Sequence, residues 1–149
     1  MSEIIDKMKK DMFAAIKEHD HEISGIVQLS LASVKNTEIE KGEPLTEEEI
    51  IQVLRKESKK LQDSIEQFQN AGADELLQTS ERQKQYISQY LPQLMTPEEV
   101  EVFVEKKMVE IEATSMRDMG KLMGAVMSEL TGKADGDTVK EVVMRKLQQ

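Results

Sequence analysis

Only three prolines interrupt the 149-residue chain, and each stands where other signals also break it. Pro44 follows Lys41-Gly42-Glu43, Pro92 follows Tyr90-Leu91, and Pro97 sits directly behind Thr96. Proline fixes φ and lacks an N–H, so a helix tolerates it only in the first turn or outside. The stretches between the prolines are rich in helix formers and poor in aromatic and β-branched strand formers. This spacing predicts long uninterrupted helices and an all-α protein.

Apolar periodicity fills in the N-terminal part. A first helix is expected from about Ser2 to Glu18, with Ile5, Met8, Met12, Ala15 and Ile16 on one face. A second follows His19-Asp20-His21 and runs to about Glu40, using Ile23, Ile26, Val27, Leu31 and Val34. Thr46 with Glu49 spells a capping box, and Leu45 with Ile50 a hydrophobic staple, so a third helix starts at Glu47. It is expected to end at Gly72, a residue suited to the left-handed cap. A fourth, from about Asp74 to Tyr90, carries Leu76, Leu77, Ile87 and Tyr90. The short break between the last two reads as an antiparallel hairpin. The polar run Gln78–Gln85 gives that hairpin a thin apolar face.

Thr96-Pro97-Glu98-Glu99 is a second strong helix start. Val100, Phe103, Val104, Met108 and Ile111 form the stripe behind it, and Ser115 with Asp118 suggests another start. Met119, Leu122, Met123, Val126, Met127 and Leu130 follow, then a loop over 131–137 with Asp137 as the cap of a last helix bearing Val139, Val142, Val143 and Leu147. The expected organisation is a helical, hairpin-type domain over 1–94 and a small three-helix tail domain over 95–149.

Charge and composition narrow the function. The chain has no cysteine, which removes disulfides, thiolate metal sites and a cysteine nucleophile, and fits a reducing compartment. No apolar run reaches the length of a membrane span, and Met1–Lys10 lacks a signal-peptide core. The expected location is the cytoplasm. A net charge of −9 disfavours polyanion binding by the chain as a whole. Residues 115–149 differ, with six basic groups against five acidic ones.

Several motifs invite a chemical reading. Gly120 and Gly124 lie one turn apart inside a helix, where each costs about 1 kcal/mol relative to alanine. They either let a neighbouring helix approach closely or leave bare backbone for a partner such as a phosphodiester chain, beside Arg117 and Lys121. Thr131-Gly-Lys-Ala-Asp-Gly136 is not a Walker A loop, because Met127 and Ala134 occupy required Gly and Ser/Thr positions. His19 and His21, two residues apart, are read as a linker rather than a metal site. Glu47-Glu48-Glu49 is read as helix-dipole compensation. Met116, Met119, Met123 and Met127 are read as core, with an adaptable protein-binding face as the alternative. No catalytic residue, metal site or cofactor is expected.

Taken together, these stretches resemble the YqeY family. Its domain is shared with the C-terminal part of the B subunit of glutamyl/aspartyl-tRNA amidotransferase (GatB). The resemblance spans essentially the whole chain and is most specific at Asp118-Met-Gly-Lys-Leu-Met-Gly124 joined to Gly132-Lys-Ala-Asp-Gly136. It continues at Tyr90-Leu-Pro92, at Asp63-Ser64 with Phe68 and Ala71-Gly72, and at Lys35-Asn36 with Glu38-Ile-Glu40. The length matches stand-alone members. The resemblance implies a two-part helical fold whose tail contacts tRNA, while the chemistry of the amidotransferase lies in another domain. Gln28, Leu61 and Ala73 stand where the family pattern has arginine, which directs attention to the tail.

The expected function is therefore a non-catalytic, tRNA-associated module. Its expected nucleic-acid-binding residues are Arg117, Gly120, Lys121, Gly124, Lys133, Lys140, Arg145 and Lys146, all within 115–149. The alternative is a helix-based protein–protein interaction adaptor. An amidotransferase acting alone would need a site that activates a carboxyl group and a route for ammonia, and the sequence shows neither.

Overall fold

Local caps decide where each helix of the computed structural model begins and ends; residues 2–149 are described. The Ser2 hydroxyl accepts from the Ile4 N–H and opens α1 (Glu3–Lys17). A tight turn with His19 at φ 60° follows. Asp20 then accepts from the Ile23 N–H, so α2 (His21–Lys41) starts at His21 itself. Gly42, at φ 84°, ends it. The Thr46–Glu49 box forms in both directions, at 3.2 and 2.7 Å, and α3 (Glu47–Ala71) ends on left-handed Gly72. α4 (Asp74–Ser88) completes this part.

Met8, Ile26, Val27, Leu54, Ile87 and Tyr90 are among the buried side chains that α1–α4 share. Two residues expected on the inner faces are outside: Ile16 is 44% exposed and Leu76 54%. Ile16 stands about 100° round the helix from Ala15, and the stripe from Met8 through Met12 closes on Ala15 instead. Leu76 is likewise one step off the row through Leu77, Ser80 and Ile87.

The polar midsection of α4 is held by hydrogen bonds rather than left thin. Gln83 donates to the Glu22 carbonyl at 3.0 Å, Thr79 to the Glu22 carboxylate at 3.3 Å, and Lys84 to Gln62 on α3. Arg82 bridges Asp20 and Glu22 at 2.5 and 3.0 Å. Glu57, only 4% exposed, accepts from the Ser33 hydroxyl at 2.8 Å and from Lys60 at 3.0 Å. Tyr90 donates its hydroxyl to Asp11 at 2.6 Å and meets Tyr86 edge-on, with Lys7 over its ring. Burial, with the Asp11 bond second, pushes the Tyr90 phenol far above its ordinary pKa.

The chain divides into two compact units, Met1–Pro92 and Gln93–Gln149. In the second, Thr96 caps α5 (Pro97–Ile111), accepting from the Glu99 N–H at 3.2 Å. Glu112, at φ 55°, turns the chain out of α5. A 3₁₀ turn (Met116–Asp118) leads into α6 (Met119–Leu130), and α7 (Gly136–Leu147) closes the unit. The cap of α7 is Asp135, accepting from the Asp137 N–H, and not Asp137 as its sequence position suggested. Asp135 has the extended ψ of 128° that a cap requires, whereas Asp137 already lies within the helix.

Val100, Val104, Leu122, Val126, Val139 and Val143 form a fully buried centre. Met119, Met123 and Met127 pack against it, while Met116 is 40% exposed. The Met95 N–H bonds the Lys133 carbonyl at 2.9 Å, tying the start of this unit to the α6–α7 turn. The chain is thus all-α, 80% helical, with no strand among the described residues.

Candidate functional site

The entry to α6 is built by one carboxylate. Asp118 accepts from the Thr114 N–H at 2.9 Å and the Ser115 N–H at 3.3 Å, while its own N–H bonds the Ser115 carbonyl. Those N–H bonds, Thr114 first, hold its carboxyl below the usual range, and the nearby Lys121 charge adds to them. The turn is thereby fixed, and Arg117 within it and Lys121 just after it are exposed.

The core face of α6 runs through Leu122, Val126 and Leu130, so Gly120 and Gly124 fall on the opposite side. Both are exposed, and a Cβ added to either would meet nothing within 4 Å among the described residues. Close approach of a neighbouring helix does not explain these glycines. What they create is a strip of bare helix backbone beside two cations that make no ion pair among the described residues.

The remaining basic residues separate into two groups. Lys133 and Lys140 are exposed at and just after the α6–α7 turn, without an ion pair among the described residues. That turn lies at the other end of α6, which spans about 18 Å along its axis. Arg145 and Lys146 instead face α5. Arg145 pairs with Glu101 at 2.8 Å, and Lys146 pairs with Glu101 at 2.8 Å and Glu105 at 2.6 Å. Their charge is matched within the unit, so they add little to an external field. Nothing local signals this pairing, because the partners are 41 or more positions apart and on different helices.

The same carboxylates predict an acid response. Lys146, outweighing desolvation, holds Glu101 below the ordinary carboxylate range, and Lys107 does the same for Glu110. With Asp118 also lowered, all three have folded-state values below their unfolded ones. Their stabilisation is complete above the unfolded carboxylate value and is lost as pH falls through the folded values. Thermal melts by circular dichroism should therefore shift downward in acid. Added salt should shrink the Glu101 share, which is a surface ion pair, more than the Asp118 share, which rests on backbone donors. A melt indifferent to acid would contradict these assignments.

No group of three or more metal-ligating side chains occurs among the described residues, and His19 and His21 stand on a turn and a helix start. No helix among them is long and apolar enough to cross a membrane.

These features define a two-unit helical protein whose C-terminal three-helix unit presents a basic strip of exposed helix backbone. A family model of Yqey-like proteins matches residues 5–147, and the chain belongs to the YqeY family. No curated protein matches the chain significantly.

Proposed function

We propose that this chain is a non-catalytic, cytoplasmic module that associates with tRNA through its C-terminal unit. The observation that carries this reading is the exposed pair Gly120 and Gly124, with nothing packed on them among the described residues, beside Arg117 and Lys121. Gly124 in the interior of α6 costs stability, and Gly120 in its first turn costs less. Bare backbone lets a sugar–phosphate chain come close, and the two cations neutralise its phosphates. Lys133 and Lys140 extend the same chemistry toward the α6–α7 turn. With only five aromatic residues in the chain, recognition rests on charge and shape rather than base stacking. The resemblance of the tail to the amidotransferase B subunit points to tRNA among RNAs.

Titrating labelled tRNA at two salt concentrations tests the reading. Binding should weaken steeply with salt, and Arg117→Gln with Lys121→Gln should weaken it about tenfold and flatten the salt slope by about two. Arg145→Gln with Lys146→Gln, already paired to α5, should change it little. Absence of binding at low salt, or binding indifferent to salt, would overturn the proposal.

The same bare face favours one other reading, a protein–protein adaptor that seats a partner helix against Gly120 and Gly124. A single protein recovered with the chain after nuclease treatment, and lost on Gly124→Leu, would support the adaptor over the RNA module.

A further inference from the structure

The hairpin of α1 and α2 has an outer face that its own unit leaves uncovered. Phe13, Ile16, Leu29 and Ile39 are four of the nine large hydrophobic residues exposed among the described residues. On α2 the exposed positions Gly25, Leu29, Ala32, Asn36 and Ile39 follow one another at steps of four, three, four and three. That is the 3.5-residue repeat of a seam along which one helix meets another, here over about 21 Å. No charge stands on it, although a third of the chain is charged. A Cβ added to Gly25 would meet nothing within 4 Å among the described residues, so packing inside the unit does not account for this glycine.

The polar groups in and beside the seam select what covers it. Asn36 lies in the seam, and Lys35 and Glu40 flank it on opposite sides. None of these three side chains makes a hydrogen bond or ion pair among the described residues. A carboxamide carries donors and an acceptor, so Asn36 is complementary to a second Asn36, and one such residue in a seam fixes register and copy number. Two copies of α2 set parallel about a two-fold axis bring Lys35 of each against Glu40 of the other. Antiparallel copies would put like flanks together, leaving Lys35 against Lys35 or Gln28 and Glu40 without a cation. A purely acidic or purely basic partner helix would satisfy one flank only.

We propose that this chain pairs with a second copy of itself through α2, as a parallel two-fold dimer with Asn36 against Asn36 and Lys35 against Glu40 of the other copy. Gly25 and Ala32 let the two backbones approach, and Leu29 and Ile39 supply the apolar contact. The seam is short, so the interface belongs to the weak class below about 1,200 Å², and the dimer should dissociate at about 10 µM. The seam lies within Met1–Pro92, so its test is separate from that of the tRNA reading.

Sedimentation velocity of the full chain between about 1 and about 300 µM should show a monomer–dimer equilibrium. Leu29→Glu/Ile39→Glu should weaken it at least about hundredfold. Both positions are exposed, so the helical signal of that variant in circular dichroism should be unchanged. Lys35→Glu should weaken the dimer about tenfold, and Lys35→Glu/Glu40→Lys should restore it. The chain has no cysteine, so Asn36→Cys should link two copies by a disulfide under mild oxidation, while Gln78→Cys, exposed on α4, should not. A chain that stays monomeric at the highest concentration would overturn the proposal and leave the face to another protein. So would a dimer that Leu29→Glu/Ile39→Glu leaves intact, a charge swap that restores nothing, or Asn36→Cys linking no faster than Gln78→Cys.

Discussion

Truncating Leu122 to alanine is expected to remove about 2–5 kcal/mol from the C-terminal unit, enough to unfold much of it. Leu122 is fully buried, and so are Val100, Val104, Val126, Val139 and Val143 in the same cluster. Valines have restricted χ1 rotamers and short side chains, so they cannot swing in to fill the space left by a lost isobutyl group. Units of this size also begin with a small margin, because they bury a smaller fraction of their surface than larger domains do. Amide hydrogen exchange across α5, α6 and α7 should show the loss directly. Val102→Ala, at a position 69% exposed, should be nearly silent. A Leu122→Ala loss below 1 kcal/mol would mean that the cluster is not packed as described.

Replacing both Gly120 and Gly124 with alanine should do the opposite, raising stability by about 1 kcal/mol in total, most of it from Gly124 in the helix interior. Both have helical backbone and open space where a Cβ would go, so the substitution costs no clash. Binding should change in the other direction. A methyl at each position, and more so the side chain of Gly120→Leu or Gly124→Leu, keeps a sugar–phosphate chain off the helix. The leucine variants are expected to bind tRNA at least about tenfold more weakly, a loss of about 1.4 kcal/mol. A variant that becomes more stable and weaker at binding would show what these glycines are for. A leucine variant that binds tRNA as tightly as the original chain would remove α6 from the interface.

Much of the fold was legible because its signals are local. Thr46 with Glu49 and Gly72 mark the ends of α3 to the residue, since a cap depends on neighbours within one turn. Asp135 and Asp137 show where locality stops helping. Both are good caps by identity, and the choice falls to the one with extended backbone. Ile16 and Ala15 compete for one face, and the angle of the stripe through Met8 decides, not hydrophobicity. Glu57 is harder still. A glutamate in a helix reads as solvated, and its burial depends on Ser33, which is 24 positions away on α2.

The candidate site divides the same way. The residue types at 117–124 were visible, but sequence spacing gives the same GxxxG whether a helix covers it or nothing does. Only the absence of neighbours within 4 Å separates the two. Arg145 and Lys146 counted as available charge in sequence, and their pairing with Glu101 and Glu105 is a tertiary fact.

The edge-on pair Tyr86 and Tyr90 has a spectroscopic consequence. The chain has two tyrosines and no tryptophan, so its near-ultraviolet absorption and intrinsic fluorescence arise almost wholly within Met1–Pro92. With the Tyr90 phenol buried and bonded to Asp11, that signal follows the meeting of α1 with the end of α4. The unit bearing Arg117, Gly120, Lys121 and Gly124 holds no tyrosine, and a tyrosine trace can stay flat while that unit unfolds.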